Sequence, residues 1–129
     1  MTTLSEDARQ LMSLLAYIYL ENDRPEKCSV LLAALDAMGQ ADVRARTTLA
    51  LAQTRSGKPQ SALATLDGLA MSGAVDAVFH LIRAQTLLAL DRRDEATAAM
   101  RAYVALRPQD LNSDTAAAAD GAAQTSTTR

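Results

Sequence analysis

His80 and Cys28, the only histidine and cysteine in this 129-residue chain, are the side chains best suited to nucleophilic or metal chemistry. A serine, cysteine or threonine nucleophile needs a base beside it, so any histidine-based catalytic group must run through His80. No Gly-x-Ser-x-Gly turn accompanies it, and the chain carries no phosphate-binding loop, paired cysteines or His-Glu-x-x-His pair. Cys28 has no histidine placed to lower its pKa, and it reads as a small core residue rather than a reactive thiol. His80 falls at a position that fills space between helices. The acidic residues stand at helix starts and on polar faces, where capping and solubility account for them. The chain therefore reads as a non-enzyme with no metal site and no cofactor, whose work is binding.

The elements that would position a binding surface follow from a repeat. Cys28, Ala62 and Ala96 recur at a step of 34 residues, as do Ala16, Ala50 and Ala84, then Leu32, Leu66 and Met100, and Leu35, Leu69 and Tyr103. The punctuation keeps the same step: Gly39 with Gly73, Asp42 with Asp76, Pro25 with Pro59. That period, with small residues at two fixed places, is the tetratricopeptide signature. The expected fold is all-α. Three helical hairpin repeats, at about 9–41, 42–75 and 76–108, supply some six helices in a short right-handed superhelical stack occupying 1–108.

Composition agrees. Hydrophobic residues make up 49% of the chain but aromatic ones only 3%, so alanine and leucine carry the core, which suits closely packed helices. The net charge of −2 comes with no basic block to neutralise phosphates, which argues against nucleic acid. No apolar run approaches the roughly 20 residues needed to cross a bilayer. Glu6 and Asp7 stand where a secretion signal would be basic, and a lone cysteine suits a reducing compartment, so a cytoplasmic location is expected, without membrane insertion.

Local signals give the helix boundaries. Thr3-Leu4-Ser5-Glu6 reads as a capping box with Thr3 as the cap. Leu11, Leu14, Leu15, Ile18 and Tyr19 follow at helical spacing and Asn22-Asp23 ends the run. Asp23 can cap the next helix, Pro25 fits its first turn, and Cys28, Leu31, Leu32 and Leu35 form its buried face. Asp42 and Asp76 cap the first helices of the later repeats, and the last hairpin turns at Asp91-Arg92-Arg93 before Pro108 closes it. Residues 109–129, rich in alanine and threonine, have almost nothing to bury and read as a disordered tail, the alternative being a partner-binding tail.

Antiparallel helices approach closely only where nothing larger than a methyl or thiol stands at the crossing, so Ala16, Ala50 and Ala84 should face Cys28, Ala62 and Ala96. The first helix of each pair then lines a concave side. Its positions are Gln10, Ser13, Tyr17 and Leu20; Arg44, Thr47, Leu51 and Thr54; and Val78, Leu81, Gln85 and Leu88. From these we take Ser13, Tyr17, Leu20, Thr47, Leu51, Leu81, Gln85 and Leu88 as the candidate partner-binding groove. Grooves that clamp a peptide's terminal carboxylate present Lys and Asn, whereas this one presents Ser, Tyr, Thr and Leu. An apolar helix or an extended peptide with spaced leucines is the expected ligand. The alternative is that Tyr17, Leu51 and Leu81 are covered by the chain's own C-terminal part or by a second copy.

Leu81-Ile82-Arg83-Ala84-Gln85 with Leu88, then Asp94, Ala96, Tyr103 and Leu106, together with Leu31-Leu32-Ala33-Ala34-Leu35, carry a further resemblance over about residues 10–107. The layout resembles the small tetratricopeptide-like chaperones of bacterial type III secretion, the YscY branch first and the needle-subunit-holding YscG branch second. The resemblance implies a cytosolic bacterial chaperone, linked to virulence, in a one-to-one complex with a small early-exported protein (the YscX-like partner). It would keep that protein soluble and bring it to the export gate, and a chaperone of this kind, without its partner, should purify poorly or as a loose homodimer. Two other classes stay open: a self-associating structural module, and a generic peptide-binding adaptor.

Overall fold

The computed structural model describes residues 4–107. Thr3, Pro108 and the 109–129 segment lie outside the described residues. Among the described residues the chain is all-helical. Five helices are α1 (Glu6–Glu21), α2 (Pro25–Ala37), α3 (Val43–Arg55), α4 (Pro59–Met71) and α5 (Ala77–Ala89), and a sixth, α6, occupies 93–107. Consecutive helices pack as hairpins, with α2 also against α3, α4 against α5, and α3 against α5. Each hairpin closes on the small residues that the repeat specifies. Ala16 and Cys28 share one buried cluster with Leu32, Leu35 and Leu49, Ala50 and Ala62 share a second with Leu66, Leu69, Phe79 and Ile82, and Ala84 and Ala96 share a third with Leu87 and Ala99.

The repeat is also written in the backbone. Within each hairpin the turn needs one left-handed residue, and Asp23, Gly57 and Asp91 supply it at φ of 60°, 82° and 59°. Between hairpins Gly39 and Gly73 do the same at 71° and 84°. Asp at this conformation is tolerated where most other side chains are strained. This corrects one expectation: Asp23 is a turn residue and does not cap α2, whose start at Arg24 and Pro25 has no side-chain cap. The caps expected of Asp42 and Asp76 do form, their Oδ1 atoms accepting from the Ala45 and Phe79 amides at 2.8 and 2.9 Å.

The start of α1 differs as well. Ser5 is the cap, its Oγ accepting from the Ala8 amide at 3.1 Å, and Glu6 pairs with Arg9 at 2.6 Å instead of closing a capping box. The cause is long-range. The Gln40 side-chain amide bonds both backbone groups of Leu4, accepting from its N–H at 2.9 Å and donating to its carbonyl at 3.1 Å. Leu4 is thereby held against the α2–α3 connection, and the helix starts after it.

One apolar stripe does not enter the core. Leu11, Leu14, Leu15 and Ile18, at helical spacing on α1, are exposed, while Ala16 is the buried residue of that helix. Met100, at the step where Leu32 and Leu66 are fully buried, is exposed on α6. Both departures have the same origin: no hairpin precedes α1 and none follows α6 among the described residues.

Candidate partner-binding face

The repeat register sets the first helices of the three hairpins side by side, so a given position on α1 recurs on α3 and α5. α3 packs directly on α5, and α1 meets α3 through the first core cluster, which both share with α2. Two contacts tie its rows together. The Arg44 guanidinium lies over the Tyr17 ring, 5.3 Å from its centroid, a cation–π contact between α3 and α1. Between α3 and α5 the Thr54 and Thr86 hydroxyl oxygens are 2.7 Å apart.

The threonines of this face are less polar than their formula suggests. Thr47 donates to the Val43 carbonyl at 2.8 Å and Thr48 to that of Arg44 at 2.9 Å, so each proton is used within the helix. Thr54 and Thr86 reach the Ala50 and Ile82 carbonyls at 3.0 and 2.9 Å as well as each other. Two protons serve three contacts, so one hydroxyl donates across the joint and the other to its own helix. Thr86 is fully buried, so what Thr47 and Thr54 leave for a ligand is mainly their methyl groups.

The eight expected groove residues divide by exposure. Ser13, Tyr17, Leu20, Thr47, Leu51 and Leu81 are half-buried, and Gln85 and Leu88 are exposed. Leu20 packs on the first core cluster and Leu51 on the second, against the group that includes Phe79 and Ile82, so both also serve the fold. Tyr17 lies under Arg44. Leu81, Gln85 and Leu88, on successive turns of α5, offer this face's free contact area. Apolar surface with a few hydrogen-bonding groups can hold a helix or strand of another protein by burial.

The two residues with catalytic potential sit elsewhere. Cys28 is fully buried at the first helix crossing, and burial pushes its thiol up to about 11. His80 is half-buried and meets Phe79 edge to face, ring centroids 5.1 Å apart. Burial lowers its pKa, Arg83 lowers it further, and Asp76 opposes them. Among the described residues no three His, Cys, Asp or Glu side chains gather to hold a metal ion, and no helix is long and apolar enough to cross a membrane.

Exposed apolar side chains also cluster off this face, on the α1 stripe and on α6. Periodicity alone cannot find them, because the same spacing marks a buried face. The repeat could have, since the equivalents of Leu11, Leu15 and Ile18 one step on are Ala45, Leu49 and Ala52, which are buried against α2.

No family model matches the chain, and no curated protein matches it.

Proposed function

We propose that this protein is a tetratricopeptide-type binding module whose first-helix face shields an apolar segment of a partner protein. The observation that supports this is the continuous register of Ser13, Tyr17, Thr47, Leu81, Gln85 and Leu88 across three hairpins, partly exposed and poor in charge. The resemblance in the sequence gives the reading its class: a cytoplasmic export chaperone of type III secretion that holds a small exported subunit, with the export gate as a second contact. A helix of such a subunit would lay its leucines against Leu81 and meet Gln85 and Ser13 at its edges. Binding stabilises the folded module by mass action, so the partner and the module should be purified together more readily than alone.

The test substitutes Leu81→Asp with Gln85→Arg, on the part of the face that does least for the core. Tagged full-length chain is recovered from its native cells and its companions are identified by mass spectrometry. The expected result is one small protein held stoichiometrically by the wild type and lost from the double variant, with helicity unchanged. Retention by the variant would place the binding surface elsewhere.

A further inference from the structure

The two ends of the stack carry the two halves of a joint that the molecule makes twice within itself. In the first internal joint α2 packs on α3, burying Ala45, Leu49 and Ala52 beside Leu32 and Leu35. In the second α4 packs on α5, burying Phe79 and Ile82 beside Leu66 and Leu69. The same positions on α1 are Leu11, Leu14, Leu15 and Ile18, and they are 39% to 65% exposed. At the other end Met100 occupies the step of Leu32 and Leu66, and it is 39% exposed, with Leu88 at 58% and Val104 at 53% nearby in register. A depression of about 400 Å³ opens there, bounded by Leu88, Ala96, Thr97 and Met100, with Asp91 and Arg93 at its rim.

We infer that these ends join: α1 of one copy docks on the α5–α6 end of a second copy, head to tail, and the 34-residue repeat runs on from molecule to molecule. The choice of a second copy rests on register. Only a second helix of this repeat presents the spacing that α2 offers to α3, and α6 is the one whose outer face is free among the described residues. The pairs that would meet are apolar where the internal joints are partly polar. Thr54 and Thr86 bond across the second joint, and the same two positions at the joint between copies are Leu88 and Ile18. Asp36 and Arg46 face each other at 3.5 Å across the first joint, and their counterparts are Val104 and Met12. A terminal repeat of a free-standing stack needs a polar outer face, and α1 has the opposite. Because the two docking surfaces differ, the association is heterologous and does not close on itself unless the rotation returns to the start.

Light scattering behind size exclusion, on the full chain over a wide concentration range, tests this. The wild type should rise with concentration from 13.7 kDa to several times that mass. Ile18→Asp, which damages one end, and Met100→Asp, which damages the other, should each remain monomeric with helicity retained. Mixed in equal amounts they should form a heterodimer, because each brings the end that the other lacks. A wild type that stays at 13.7 kDa overturns the inference and leaves the ends to residues 108–129 or to another protein. Ile18→Asp monomeric with Met100→Asp still dimeric also overturns it, in favour of an α1-to-α1 pair, and so does a mixture that fails to associate. Leu81→Asp with Gln85→Arg leaves both ends intact, so failure of the partner-binding reading and failure of this one are separable.

Discussion

Cys28 shows how a single side chain can be chemically plausible and physically committed to packing. It closes the crossing of α1 and α2 with no exposed surface, and burial moves its thiol from the ordinary 9.0 to about 11. The folded state then holds the proton more tightly than the unfolded chain does. Its contribution is complete below about pH 9 and is lost as the pH rises through 11, at about 1.4 kcal/mol per pH unit in that window. Between pH 8.5 and 10.5, denaturant unfolding should show the wild type losing more stability than Cys28→Ala. Equal losses would mean that the thiol titrates normally in the fold. The small-residue reading of Cys28 was legible from its step with Ala62 and Ala96. The caps were less so, because Thr3 and Ser5 are both good capping residues and the choice depends on Gln40, 36 residues from Leu4.

At the scale of elements, the glycines and aspartates that end helices were readable wherever the repeat placed them twice. Gly68 is different: it lies inside α4, and a Cβ built there would meet the Arg46 Nη2 at 2.6 Å. The obstacle is the tip of a flexible side chain, whose Nε faces Asp36 at 3.5 Å without hydrogen-bond geometry, a pair of little energetic value. Gly68→Ala should therefore swing the guanidinium aside and raise stability by about 0.5–1 kcal/mol through helix propensity. A lower melting temperature for the variant would show that Arg46 is held in place by more than Asp36. Nothing in the sequence near Gly68 announces the contact, since Arg46 reaches it from the preceding helix.

For the whole molecule, hairpin order and the buried small residues followed from a 34-residue period, while exposure did not. Leu11, Leu14, Leu15 and Ile18 have the spacing of a core stripe, and whether such a stripe is covered depends on what stands beyond it. The candidate face shows the same limit: Leu51 and Gln85 fall at the same register position, yet Leu51 joins the core cluster around Phe79 while Gln85 is exposed. The first-helix face and the exposed stripe on α1 thus compete as the working surface, and a photo-reactive residue placed in each, with one on α2 as a control, decides between them. Installed singly at Leu81, at Ile18 and at Val30, which is 65% exposed on α2, it should cross-link the partner protein from 81, a second copy from 18, and neither from 30. Partner cross-links from position 18 or 30 with none from 81 would contradict the assignment of the first-helix face as the binding surface.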